Sequence, residues 1–179
     1  RGTANLLDEA VRAETVERVV FVSTIAAASR PAGERLSHPV VDGLQDLPTL
    51  PYGRSKRDAE QLVSDVCTRK GIYFAILRPG LVYGPGSRPD SGIPRLVRAV
   101  RSNAWISRFD LPGRLSLIYV EDLVQACLAA AEDGETNRTI LVSDGRPLTF
   151  GQVFAHLRER LGLPARMHRV SRHAADLIA

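Results

Sequence analysis

Three features of this sequence predict an α/β fold with a doubly wound parallel sheet. Short apolar runs of strand length alternate with helical stretches of ten or more residues. The runs are continuous and rich in β-branched side chains, as strands buried on both faces are. Gly and Pro punctuate the chain where one pattern gives way to the next, at Pro51, Gly71, Pro79-Gly80 and Gly162.

Taken in order, residues 2–13 read as a helix with Leu6, Leu7, Ala10 and Val11 as its apolar positions. Residues 17–24 follow as a buried strand, Glu-Arg-Val-Val-Phe-Val-Ser-Thr. Residues 26–50 are rich in Pro, Gly and Ser and lack periodicity, so a long functional or mobile loop is expected there. A helix over 51–70 has Pro51 in its first turn and Gly71 just past its end. Residues 72–78 read as a second buried strand stopped by Pro79-Gly80, and residues 83–86 as a turn cluster. Residues 93–103 form a helix with Leu96, Val97 and Val100 on its apolar face. Residues 115–120 read as a strand, 121–132 as an apolar helix and 139–143 as a strand. The last clear element is an amphipathic helix over 149–161, capped by Thr149. The expected organisation is the catalytic half of an α/β domain over 1–90 and a small substrate-binding lobe over 91–179. A returning strand and helix (115–133) are interleaved in that lobe.

Composition removes several function classes. A chain of 179 residues can bury one core, and 44% hydrophobic with 25% charged residues is ordinary for a soluble protein. The net charge of +4 comes from scattered arginines with acidic residues between them. No run of five or six like charges suggests a nucleic-acid partner. Cys67 and Cys127 fall within apolar helical patterns and read as buried structural thiols in a reducing compartment. The four histidines show no metal-ligand spacing. No apolar stretch has membrane-spanning length, so the expected location is the cytoplasm, with a small molecule as partner. Position 1 is Arg, and the patterns at both ends (2–13 and 171–179) read as helices cut short. A piece of a longer polypeptide is therefore expected.

The lysines carry the first functional signal. Only two occur, against twenty-two arginines, and Lys56 lies four residues after Tyr52 in Pro-Tyr-Gly-Arg-Ser-Lys. On a helix that spacing puts a phenol and an ammonium on one face, a turn apart. A phenol with the ordinary pKa of ~10 is a poor base at neutral pH. A neighbouring ammonium and the positive end of a helix both favour the phenolate. Such a tyrosine can take a proton from an alcohol, or give one to a carbonyl, while hydride moves. Upstream, a buried strand ends in Ser23-Thr24, at the carboxyl edge where doubly wound sheets bind ligands. A hydroxyl there can orient the reacting oxygen. The second strand ends in Pro79-Gly80, which lets backbone approach a flat ligand.

Strand-Ser-Thr, Tyr-Gly-Arg-Ser-Lys, Leu-Arg-Pro-Gly-Leu-Val-Tyr-Gly-Pro and Ile-Tyr-Val-Glu-Asp-Leu occur here in that order. Together they resemble the extended short-chain dehydrogenase/reductase family, also called the NAD-dependent epimerase/dehydratase family, over nearly the whole chain. The resemblance implies a Rossmann-like domain, NAD or NADP as cofactor, and room for a homodimer. It implies Tyr52 as the catalytic acid/base and Lys56 as the ribose-binding group that makes the phenol more acidic. It further implies Thr24 as the hydroxyl on the substrate oxygen, with Ser23 beside it on the cofactor side. Pro79, Gly80 and Val82 match the backbone beside the nicotinamide, and Asp122 matches an acidic helix-capping position.

Two departures qualify the likeness. The family's glycine-rich phosphate loop belongs upstream of Gly2, so residues 1–179 alone are predicted to bind cofactor poorly. Micromolar NAD(H) or NADP(H) binding by isothermal titration would contradict that. The second departure concerns the polar anchors of nucleotide-sugar members, whose places here hold Pro79-Gly80 and Leu115, with Arg114 adjacent. The leading expectation is therefore hydride transfer on a secondary alcohol or ketone of an apolar or small substrate, as in 3β-hydroxysteroid dehydrogenases and dihydroflavonol reductases. The alternatives are a nucleotide-sugar epimerase or dehydratase, and a non-catalytic dinucleotide-sensing protein on the same fold.

Overall fold

The computed structural model describes residues 2–28, 51–110, 114–132, 137–164 and 166–169. Its elements divide into two units, one from 1–80 with 121–142, the other from 81–120 with 143–179.

The first unit is built on three parallel strands, β1 (Arg18–Val22), β2 (Tyr73–Pro79) and β7 (Arg138–Val142), in the order β1-β2-β7. Registers pair Val22 with Leu77 and Pro79 with Val142, so the carboxyl ends of all three lie together. Both faces are covered, which explains why β2 reads as an unbroken apolar run. Phe74 and Ile76 point to one side, where α1 (Gly2–Ala13) supplies Leu7 and α2 (Pro51–Lys70) supplies Val63 and Cys67. Ala75 and Leu77 point to the other, onto Ala126, Cys127 and Ala130 of α4 (Val120–Glu132). Each large side chain buried this way contributes roughly 1.5–3 kcal/mol. Arg78 has the parity of Phe74 and Ile76 and therefore faces α2. Gly71 ends α2 at φ +68, a left-handed conformation that a side chain would strain.

Among its described residues the second unit carries three small two-stranded sheets. β3 (Leu81–Tyr83) pairs in parallel with β6 (Leu117–Tyr119), β5 (Arg114–Leu115) antiparallel with β8 (Leu148–Thr149), and β4 (Phe109–Asp110) in parallel with β9 (His168–Arg169). Its helices are α3 (Gly92–Arg101) and α5 (Phe150–Arg160). Thr149 caps α5 as expected, within a full capping box. Its Oγ1 accepts from the Gln152 amide at 3.1 Å, and its own amide donates to Gln152 Oε1 at 2.8 Å. Gly84, at φ +135, has no space for a side chain, because a Cβ would lie 2.6 Å from Val120 Cγ1.

Several expectations change in detail. Ser23 and Thr24 lie just past β1 rather than within it. β2 runs through Pro79, and residues 81–83 form a strand that was not expected, its last residue Tyr83 lying at the start of the predicted turn cluster. The run over 115–120 breaks at Ser116 into two strands with different partners, because its first half pairs antiparallel and its second half in parallel. Asp122 sits inside the first turn of α4, not at its cap. Residues 29–50 and 170–179, expected as a loop and a terminal helix, lie outside the described residues.

Candidate active site

Six of the predicted site residues, Ser23, Thr24, Tyr52, Lys56, Pro79 and Gly80, belong to the first unit, at the carboxyl ends of β1 and β2 and on the first turns of α2. Pro51 opens α2, so Tyr52 stands at its positive end, with its side chain 58% exposed. One turn later Lys56 reaches back to the sheet. Its Nζ donates to the Val22 carbonyl at 3.0 Å and lies 5.1 Å from the centre of the Phe21 ring. An ammonium carries three donors, and the others can serve ribose hydroxyls.

The chain then turns sharply at Thr24, which caps a 3-10 turn, Ile25–Ala27, against which α2 packs. Thr24 Oγ1 accepts from the Ala26 amide at 3.2 Å, which leaves its own proton to donate to a reacting oxygen. Ser23 has a partner within the protein. It is buried, and its Oγ donates at 2.5 Å to Glu60 Oε1, so the hydroxyl is committed inside the protein.

Pro79 and Gly80 are buried at the end of β2, and the Gly80 amide donates to the Val142 carbonyl at 3.0 Å. Pro79 has no amide hydrogen and the Gly80 amide is already bonded, so neither contributes a free backbone donor. Val82 belongs to β3 of the second unit, opposite Ile118. Asp122 is exposed on α4.

Two residues that the sequence reading passed over complete the first unit's polar interior. Arg78 forms a fork onto Glu60, with Nε to Oε1 at 2.9 Å and Nη2 to Oε2 at 2.7 Å. Both are more than nine-tenths buried. An arginine within an otherwise apolar strand signals a buried partner, since a lone buried charge is costly. Glu60 continues the four-residue spacing of Tyr52 and Lys56.

The thiols stand apart from this chemistry. Burial pushes both Cys67 and Cys127 up from the ordinary thiol range, which suits inert packing groups rather than nucleophiles. Among the described residues no His, Cys, Asp and Glu cluster could hold a metal, and no helix is long and apolar enough to cross a membrane.

The second unit has its own cavity of about 670 Å³. Tyr83, Ile93, Pro94 and Val97 give it apolar walls, and Arg98 and Arg101 add two cations. Arg114 is not part of it: that side chain is exposed and donates to the Pro147 carbonyl at 3.2 Å.

Residues 1–143, which include every residue of this site, match the model of the NAD dependent epimerase/dehydratase family. The chain belongs to that family. A UDP-glucuronate 4-epimerase from Thermodesulfobacterium geofontis is 28% identical over 178 residues, covering 98% of this chain and 53% of the relative. A 3beta-hydroxysteroid-dehydrogenase/decarboxylase from Arabidopsis thaliana is 25% identical over 179 residues, covering 90% of this chain and 38% of the relative. Nucleotide-sugar epimerases and dehydratases predominate among the named relatives. Among solved structures, the UDP-glucuronic acid 4-epimerase of Bacillus cereus in complex with NAD superposes with a TM-score of 0.76. It is 22% identical, and the match covers 94% of this chain and 54% of that one. That likeness shows the Rossmann-type fold, as expected. The chain thus spans about half the length, or less, of these relatives.

Proposed function

We propose that the protein containing this chain is an NAD(P)-dependent oxidoreductase acting on a secondary alcohol or ketone. The observation that carries the reading is the hydrogen bond from Lys56 Nζ, one turn after Tyr52 at the start of α2, to the Val22 carbonyl at 3.0 Å, two residues before Thr24. A bound nicotinamide would supply the hydride acceptor or donor. Tyr52 Oη takes the hydroxyl proton as the carbinol carbon loses hydride, and returns it in the reverse direction. Thr24 donates to the reacting oxygen and fixes its position. Lys56 holds ribose hydroxyls while it anchors the start of α2 to the end of β1. Pro79 and Gly80 offer the flat backbone surface beside the ring.

Simple oxidoreduction or epimerisation fits better than dehydration. Water loss from an oxidised sugar needs a base for a carbon acid and an acid for the leaving hydroxyl, in addition to the tyrosine. Among the described residues that follow Thr24, Ile25, Ala26 and Ala27 supply no acid or base, and both Glu60 oxygens are engaged by Arg78.

The substrate reading follows the sequence: Pro79-Gly80 and Leu115 stand where nucleotide-sugar members carry polar anchors, which supports an apolar or small substrate such as a hydroxysteroid or flavonoid. A second reading, epimerisation of a nucleotide sugar, is favoured by the predominance of such enzymes among the relatives. The full-length protein with NAD and either UDP-glucuronate or a 3β-hydroxysteroid separates the two. A dehydrogenase accumulates reduced nicotinamide with the steroid. An epimerase interconverts the sugar with no net reduction of cofactor. Conversion of neither, nor of related alcohols, would count against the reading.

A further inference from the structure

The buried charges of the first unit join the three segments that carry the candidate site. Glu60 lies on α2, eight residues after Tyr52 and four after Lys56, so the three side chains share one helical face. Its carboxylate receives the bidentate Arg78 fork from the end of β2, at 2.9 and 2.7 Å. It also receives the Ser23 hydroxyl at 2.5 Å, from the residue that follows β1 and precedes Thr24. The Ser23 amide in turn donates to the Leu77 carbonyl at 2.7 Å. One carboxylate thus ties α2, the end of β1 and the end of β2 together.

Adhesion alone does not account for this arrangement. Leu7, Val63, Cys67, Phe74 and Ile76 already pack the helices onto the sheet. A buried ion pair typically adds no stability over apolar side chains of the same size. What a bidentate fork adds is geometry, because it accepts one rotation and one height of the helix. Tyr52 stands roughly 12 Å along the axis from Glu60, at a rise of about 1.5 Å per residue. A small rotation at Glu60 therefore moves the phenol relative to Thr24.

We propose that Glu60 and Arg78 are positioning residues for the reaction centre, setting the rotation and height of α2 so that Tyr52 and Lys56 meet the end of β1. The proposal rests on the reading of Tyr52 and Lys56 given above.

The test uses the full-length protein and the double variant Glu60→Leu/Arg78→Met, which replaces the ion pair by apolar groups. The variant is expected to fold and to unfold at a midpoint close to the parent's. Its kcat should fall about a hundredfold, the scale of a misplacement near 1 Å, while the KM for cofactor moves much less. Repeating the change in a Tyr52→Phe background should have little further effect on the residual rate, since the pair acts through the phenol. An unchanged kcat in the folded variant, or losses that simply multiply with that of Tyr52→Phe, would overturn the proposal. Should the apolar pair fail to fold, Arg78→Lys keeps the charge but not the fork. A fall in kcat with cofactor KM held supports the proposal there, and an unchanged kcat overturns it. Full turnover in Tyr52→Phe alone is a different failure: it removes the site reading, and the positioning role with it.

Discussion

Tyr52→Phe is expected to lower kcat by ~10²–10⁴-fold, the usual contribution of a positioned acid or base. The substitution removes a single hydroxyl from a side chain that is 58% exposed, so it deletes no core contact. The fold should therefore persist, with an unfolding midpoint close to that of the parent. Cofactor affinity should also hold, because the groups read as gripping the dinucleotide are Lys56 and backbone rather than the phenol. Steady-state kinetics of the full-length variant, alongside a cofactor titration, check both parts. A variant that turns over at the parent rate would remove Tyr52 from the chemistry.

The largest stability effect is expected from Arg78→Met made alone. It leaves Glu60 buried beneath α2 beside the Ser23 hydroxyl, with Arg57 3.8 Å away on the solvent side. Breaking one side of a buried pair typically costs about 3–5 kcal/mol, since the remaining charge keeps its desolvation penalty. Adding Glu60→Leu removes that stranded charge and should recover most of the loss. Urea unfolding of the parent, the single variant and the double variant measures all three. Equal stability of the single variant and the parent would mean that the pair carries no such burden.

The legible parts of the fold were those with strong local punctuation. Pro51 and Gly71 bracket α2 because one fits a first helical turn and the other a left-handed exit. β1 and β2 were visible because both faces of the sheet are covered, so neither strand alternates. β3 was hidden, since three residues between glycine-rich turns carry no periodicity. The division at Ser116 was equally hidden, because it depends on which distant strand pairs with each half.

At the candidate site, the spacing of Tyr52 and Lys56 was readable because helical geometry is local. The bond from Ser23 to Glu60 was not, because the two lie thirty-seven residues apart in sequence. Arg78 could have been found. A charge in an apolar strand demands a counter-charge, and Glu60 at the next helical repeat after Lys56 was the natural candidate.

The central claim is that hydride leaves a carbinol carbon for a nicotinamide while Tyr52 handles the proton. Its most direct test supplies the full-length protein with NAD and a substrate deuterated at the reacting carbon, followed by mass analysis of the cofactor bound and free. Deuterium is expected on the nicotinamide ring, with much slower transfer in Tyr52→Phe. Substrate conversion with no deuterium reaching the cofactor would contradict it.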